Sequence, residues 1–455
     1  MTLGGGLLQI VAQGKQDVFL TGNPQITWFK MVYRRYTNFA IESQAIYFDG
    51  NPDFGKRLTF SIPRRGDLLG PLLLEITLPQ IQYTTPQLIQ GVTTTNANYV
   101  TSLGHALIEE ISVEIGEQEI DRQTGEWLHV WSELSTSPGI RDGFNDMIYN
   151  YPGTVPPPFT TEVINNAVSI GGSTYNYGAV KLYIPLQFWF NKNPGLYLPL
   201  IALQYHPIRI NLKLRSLAQL VTTYGAIPAG QTCPDPPPLI PNHIIDLRMY
   251  GDYVHLDVEE RKRFVSNSHE YLIEQIQYTS RISVPSGTLT AVVPLEFNQP
   301  LRELIWVVQR DIMQTTNEWF NFTPTSSREL GFSIDMLQQA ILQLDGYDRF
   351  EVRDAGYFRL VQPYHYHTNV PTNTYIYCYS FALRPEELQP SGSLNASRID
   401  SIQLQIALRP DPPLTLATTD PSYVPPRGNA NIRVYGTNHN ILRVVNGFGG
   451  LLFKI

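Results

Sequence analysis

Apolar and polar residues alternate over short segments through most of this chain. The run Ile208-Arg209-Ile210-Asn211-Leu212-Lys213-Leu214 alternates without a break. Successive side chains on a strand point to opposite faces, so this run predicts a strand with one dry and one wet face. Leu58-Thr59-Phe60-Ser61-Ile62 and Ile111-Ser112-Val113-Glu114-Ile115 show the same period of two. Further short segments at 45–47, 55–62, 72–78, 108–115, 181–185 and 399–408 are mostly bounded by Gly, Pro, Asn or Asp, and they read as strands between turns. Helical patterns are few. One is expected from Pro24, with Asn23 as cap. A second spans 123–134, where Trp127, Val130, Trp131 and Leu134 recur at helical spacing behind a cap at Thr124 or Asp121. The segment 333–344 permits either a helix or a strand. Strands and helices do not alternate, so the pattern favours an all-β fold over a parallel α/β one.

Long polar stretches at 84–99 and 137–177 separate these segments, and loops of that length usually carry contacts or binding. The clearest boundary is 222–241, which holds Gly225, Gly230 and Cys233-Pro234-Asp235-Pro236-Pro237-Pro238. Polyproline of this kind is extended and semi-rigid. It falls near the midpoint and leaves halves of roughly 210–220 residues, each suited to one large β-sandwich or barrel. A faint echo suggests duplication: Leu107-Ile108-Glu109-Glu110-Ile111 recurs as Leu272-Ile273-Glu274-Gln275-Ile276, and each half closes near an alternating strand, 208–214 and 399–408.

Composition sharpens this picture. Charged residues are only 16% of the 455, against roughly a quarter in average proteins, while Pro (35) and the aromatic residues (11%) suit turns and pleated surfaces. The net charge of −7 provides no chain-wide positive field for phosphates, which excludes a general nucleic-acid binder. Lys is scarce beside Arg, whose rigid fork suits fixed ion pairs at buried contacts. The two cysteines, Cys233 and Cys378, are too few for a disulfide framework and read as free thiols in a reducing compartment. The opening Gly4-Gly5-Gly6 run and its short apolar stretch lack the basic start and length of a signal peptide, and they read as an arm that orders against a partner. No apolar run reaches the 18 or so residues needed to span a bilayer.

Candidate chemistry is sparse. His365 and His367 would share one face of a strand and, with Glu351 and His439, could be drawn as a metal set of the small-barrel type. Their setting among Pro363, Asn369 and Pro371 reads as a loop of ordinary histidines. Asp345-Gly346-Tyr347-Asp348-Arg349 has part of a calcium-loop spacing and reads as a turn. Arg34-Arg35, Arg64-Arg65 and Arg261-Lys262-Arg263 are compact basic clusters suited to salt bridges. Asn321-Phe322-Thr323 and Asn395-Ala396-Ser397 match the glycosylation tripeptide by chance. No phosphate loop, nucleophile elbow or His-Glu-x-x-His occurs, so no catalytic, cofactor-binding or metal residue is assigned and no enzyme is expected.

Several long segments together resemble one family. Gly22-Asn23-Pro24-Gln25-Ile26-Thr27-Trp28-Phe29-Lys30, continuing to Ala40, is similar to the N-terminal signature of the major capsid proteins of nucleocytoplasmic large double-stranded DNA viruses (the marseillevirus, phycodnavirus and iridovirus-like group). Arg64-Arg65-Gly66-Asp67-Leu68-Leu69 resembles a second block of that family. Tyr379 to Pro385 with Gln389 to Gly392 and Asn395 to Asp400 resembles a third, and Asn438 to Gly450 a fourth. The resemblance implies a double jelly-roll of two eight-stranded antiparallel sandwiches, divided into an arm at 1–26, a first jelly-roll at 27–217, a Pro-rich linker at 218–241 and a second jelly-roll at 242–455. It implies a homotrimer of pseudo-hexagonal outline, neighbouring capsomers, and assembly in the host cytoplasm into an icosahedral virion. It further implies minor capsid and penton proteins met on the inner side through the arm, no direct nucleic acid, only indirect contact with an internal membrane, and no cofactor. The loops 137–177 and 315–328 become candidates for the outward surface. Because a jelly-roll also hosts sugar-binding modules and metal-dependent enzymes, a carbohydrate-binding attachment protein and an enzyme using His365 and His367 are the competing readings.

Overall fold

The computed structural model describes residues 5–12, 14–79, 81, 88–89, 92–93, 96–150, 179–224, 243–325, 334–411 and 428–453. Residues 1–39 and 40–455 are two separate compact units.

The first unit has one short helix, Gly5–Val11, one helical turn at Val18–Thr21 and only bends and turns from 22 to 38. The helix expected from Pro24 does not form. Asn23 takes a φ of 50°, in the left-handed region rather than the extended backbone of an N-cap. A short segment rich in aromatic and β-branched residues lacks the propensity to nucleate a helix, and here it buries no face that would compensate.

The second unit holds two sandwiches built on one plan. In the N-terminal sandwich the strands are β1 (Phe39–Ile46), β2 (Arg57–Ser61), β3 (Leu68–Leu78), β4 (Ile108–Ile115), β5 (Gln118–Thr124), β6 (Val180–Pro185), β7 (Ile208–Leu214) and β8 (Asp246–Leu256). One sheet runs β1-β8-β3-β6; the other runs Phe48–Asp49, β2, β7, β4, β5. In the C-terminal sandwich they are β9 (His269–Tyr278), β10 (Thr290–Pro294), β11 (Pro300–Arg310), β12 (Leu337–Leu344), β13 (Tyr377–Ser380), β14 (Ile402–Leu408) and β15 (Ala430–Val445). Its sheets run β9-β15-β11-β13 and β10-β14-β12 followed by Tyr347–Asp348. The two strand orders correspond strand for strand, except that Phe48–Asp49 has no counterpart beyond β10. This is the double jelly-roll: inward-facing alternate residues of both sheets fill one core per sandwich, as the strictly alternating burial of β7 and β14 shows.

This plan corrects two expectations. The segment after 242, expected to open the second jelly-roll, supplies β8, which hydrogen-bonds along β3 from Asp246↔Thr77 to Val254↔Leu68. The counterpart of β4 is β12, each placed between a central strand and a hairpin, so the echo of 107–111 at 272–276 is not a structural equivalence. It falls on β9, whose counterpart is β1.

The segment 333–344 resolves as a strand, because β12 finds a backbone partner in β14 from Leu337↔Leu408 to Leu344↔Ile402. Asp345 and Gly346, at φ values of 49° and 82°, make the tight turn into Tyr347–Asp348. The segment 137–177 opens with a helix, Pro138–Ile148; its remainder from 151 lies outside the described residues, as do 225–242 of the Pro-rich linker and 326–333.

The expected helix at 123–134 forms as Gly125–Ser135, capped by Thr124, whose hydroxyl accepts from the Trp127 N–H at 3.2 Å. Asp121 stays in β5. The helix starts so close to the preceding chain that a Cβ on Gly125 would lie 2.1 Å from the His105 carbonyl oxygen and 2.2 Å from that of Ile108. Only glycine fits there. Replacing Thr124 by Ala should cost about 1 kcal/mol and lower the thermal midpoint by about 1 °C, while Thr124→Ser should stay near wild type in the same scan.

Candidate functional site at the seam between the sandwiches

The helix Gly125–Ser135 belongs by connection to the first sandwich but is shared between both cores. Leu128 packs in the N-terminal core, while Trp127, Val130, Trp131 and Leu134 pack in the C-terminal one. The exchange is mutual: Ile273 of β9 and Leu442 and Val444 of β15 sit in the N-terminal core. Trp127 stacks on Trp131 with centroids 5.4 Å apart and tilts against Tyr435 at 5.2 Å. A loop of the second sandwich reinforces the seam. His129 stacks on Phe320 at 4.3 Å, Arg215 lies over Trp319 at 4.2 Å, and the Asn317 amide donates to the Ala218 and Val221 carbonyls at 2.8 and 2.7 Å.

Buried ionic groups fix the register across this apolar contact. Lys192, from the first sandwich, donates to Glu274 on β9 at 2.8 Å, and Arg302 on β11 donates to the same carboxylate at 2.7 Å. Burial alone would raise the Glu274 pKa, but Lys192 and then Arg302 overcome it and bring the pKa to about 2. Lys192 also lies over the Trp131 ring at 4.6 Å. Glu126, buried at the start of the shared helix, accepts from Tyr435 Oη at 2.9 Å and faces Arg281 at 3.3 Å and Arg433 at 3.5 Å. Asp121 accepts the Ile276 backbone N–H at 3.1 Å; burial pushes its pKa up to about 6 despite that bond and one from Gln123. The Gln275 amide donates to the Ile120 carbonyl, and Asn369 donates to the Glu133 carbonyl at 2.7 Å. Each buried charge is thus paired by a group from another element, and several of the pairs cross from one sandwich to the other.

The residues singled out in the sequence do not gather into a reactive centre. His365 is exposed between Tyr364 and Tyr366 on a short helix, Gln362–Tyr366. His367, just past the end of that helix, is buried, with Nδ1 3.0 Å from Glu386 and Nε2 3.1 Å from Glu303. Burial works against its charged form, yet Glu303 holds its pKa well above the ordinary histidine value. The imidazolium is therefore a structural cation. Glu351 is exposed, and His439 lies at the seam, its pKa lowered to about 4 by burial and then by Arg302. Among the described residues no three His, Cys, Asp or Glu side chains are placed to hold a metal ion. Cys378 is buried and free; Cys233 lies outside the described residues.

The basic clusters are partly absorbed locally. Arg64 donates to the Leu203 carbonyl at 2.5 Å, Arg65 to the Ala45 carbonyl at 3.0 Å, and Arg261 meets Asp67 at 3.0 Å. The Asn321 amide donates to Glu318 at 2.6 Å and its carbonyl accepts from Thr323, so it turns inward, whereas Asn395 is exposed. The shared helix, the main device of the seam, was legible in the sequence as a helix. Its division between two cores was not, since Leu128 and Trp127 are equally apolar.

Two matching sandwiches joined in one compact unit, with several buried charges at the seam paired across it, define a structural double jelly-roll protein. Residues 27–257 match the family model described as major capsid protein N-terminus, and residues 260–450 match that of the large eukaryotic DNA virus major capsid protein. The chain is 38% identical to the major capsid protein of Pyramimonas orientalis virus, over 99% of this chain and all of that one. It is 35% identical to that of Paramecium bursaria Chlorella virus 1, with the same coverage. The quasi-atomic model of the PBCV-1 virus capsid matches with a TM-score of 0.72 at 29% identity, covering 94% of this chain and all of that one. The Faustovirus major capsid protein shares the fold, with a TM-score of 0.72 at 14% identity over 95% and 94% of the two chains. The chain belongs to the major capsid protein family of large eukaryotic DNA viruses, and its role is that of a structural protein of the virion.

Proposed function

We propose that three copies of this chain associate through their sides into a capsomer of pseudo-hexagonal outline that tiles an icosahedral shell. The observation that carries this reading is the repeated strand order inside one compact unit. Three copies of a body with two like lobes give six lobes around a threefold axis, and a near-hexagonal outline lets one block tile a surface. The low charge content suits sides buried against equivalent neighbours. The division between the jelly-rolls is best drawn at the helix Val258–Ser266, after β8, giving lobes of about 40–256 and 269–453. Minor capsid and penton proteins meet the capsomer on its inner side through the N-terminal arm, contact with the internal membrane is indirect, and assembly takes place in the host cytoplasm.

Light scattering on the purified full chain tests the trimer. A stable particle of three times 51.6 kDa is expected. A persistent monomer would overturn the reading.

A further inference from the structure

Two histidines lie together inside the first sandwich, and one of them has nothing to bond. His105, on the short helix Leu103–Leu107, is 0% exposed, and neither ring nitrogen has a hydrogen-bond partner among the described residues. Its ring stands 6.1 Å from that of His129 on the shared helix and 5.8 Å from that of Phe144. His129 is buried too but better held: its Nδ1 lies 3.1 Å from Ser102 Oγ, and its ring stacks on Phe320. A buried imidazole without partners persists only while neutral, because its charged form carries two N–H donors into a site with no acceptor. Burial lowers the His105 pKa well below the ordinary 6.5, and His129 beside it lowers it further. Burial lowers the His129 pKa as well, with Glu133 working against it.

The roof over His105 is the helix Pro138–Ile148. Phe144 rests on the His105 ring, Arg141 closes an ion pair on Glu133, and Ile148 is the one fully buried residue of the helix. The approach at Ile148 is close, since a Cβ on Gly104 would lie 3.1 Å from the Ile148 Cβ. Little else favours this helix. It has 11 residues, short of what holds alone in water, and Gly139 and Gly143 weaken it further. Its contacts keep it in place, not its propensity.

The charges near the histidines are committed elsewhere. On the shared helix Glu133 pairs with Arg141, and Glu126 with Arg281 and Arg433. On β4 Glu109 meets Lys213, and Glu110 meets Arg57 and Arg122. Lys181 on β6 meets Glu75, Glu318 accepts from Asn321, and the Arg215 guanidinium donates to the Ala106 carbonyl. Asp142 and Asp146 of the roof are exposed. None of these carboxylates accepts from His105.

We propose that the helix Pro138–Ile148 is an acid-released latch, with His105 beneath it as the group that takes up the proton. This goes beyond the capsomer reading and does not depend on it. With the latch open His105 titrates near 6.5, and with it closed well below. Closure is therefore at full strength above about pH 6.5 and weakens as the pH falls below that value. For a ring that stays neutral when closed, the open fraction rises about tenfold between pH 7.5 and 5.5. His129 keeps Ser102 and Phe320 in both states, so one proton sets the response. A coat subunit built this way loosens one surface helix in an acidic compartment while both cores stay closed.

Hydrogen exchange on the full chain at pH 7.5 and 5.5, corrected for the intrinsic rates of free peptides, tests the latch. Opening of peptides within 138–148 should rise about tenfold on acidification, while β7 and β14 keep their protection. His105→Phe keeps an apolar ring against Phe144 and removes the titrating nitrogens, so its rise should shrink below about twofold. His105→Leu serves the same purpose with a smaller side chain, and a thermal scan at pH 7.5 shows which variant folds as wild type does. No acid-dependent rise in wild type, a rise shared in step by β7 and β14, or an undiminished rise in the folded variant would overturn the assignment.

Discussion

Replacing Glu274 by Gln should lower the stability of the seam by about 3–5 kcal/mol, because it leaves Lys192 and Arg302 as cations facing a neutral amide in a buried site. The substitution keeps the size and shape of the side chain but turns one acceptor oxygen into an N–H donor facing Lys192 or Arg302, so the loss reports charge and one hydrogen bond rather than packing. In a thermal scan of the full chain the midpoint should fall by about 3–6 °C. The effect carries a pH signature with a definite sign. The Glu274 pKa is about 2 in the folded protein against 4.5 for the free side chain. Its contribution is therefore fully present above pH 4.5 and is lost as the pH falls towards 2. Wild type and variant should differ most at neutral pH and converge in acid. A gap that persists unchanged down to pH 2 would show that lost packing, not lost charge, causes the effect. The consequence for the proposed capsomer is geometric: with the seam loosened, the angle between the lobes is no longer fixed, and the proposed six-lobed outline depends on that angle.

Much of this architecture was readable from alternation. The run 208–214 became β7 and 402–408 became β14, both inner strands of their sheets, because a strand with a dry face on one side and a wet face on the other imposes the period of two directly. The helix at 125–135 was readable for the same reason at another period, and its cap chose Thr124 over Asp121 because only Thr124 stands immediately before the first turn. What alternation does not encode is partnership. The strand Asp246–Leu256 lies just beyond the Pro-rich stretch and so looked like the start of the second half, yet its partner is Leu68–Leu78, nearly 180 residues earlier. Local sequence sets the face that a strand buries; the strand it pairs with is decided by the closing of the whole sandwich. The seam was hidden for a related reason. Glu274 and Arg302 are ordinary charged residues on strands, and only the approach of Lys192 from the other lobe shows that they are a lock. The segment 23–30 misled in the opposite direction, since Asn-Pro is a helix start only where a face is available to bury, and the arm packs none.

The shared helix yields the second large effect. Trp127 is 1% exposed, and truncation to Ala removes an indole that touches Trp131 and Tyr435, at a cost of about 3–5 kcal/mol. Although Trp127 is connected to the first lobe, the cavity opens in the core of the second. Hydrogen exchange on the Trp127→Ala chain should therefore show protection lost first in β11 and β15, with β4 and β7 changed less. Leu128→Ala, one residue further along the same helix, opens its cavity in the other core and should reverse the order, exposing β4 and β7 first. Adjacent residues on one helix would thus unfasten different lobes. If both variants instead loosened the same strands, the helix would be an ordinary part of one sandwich, and the lobes would be held by the ionic pairs, the loop around Asn317 and Trp319 and the exchanged Ile273, Leu442 and Val444. If they divide as expected, the helix is the hinge pin of the block: neither core is complete without it, so neither lobe can turn against the other without opening a cavity, and the rigidity that a tiling subunit needs follows from packing itself.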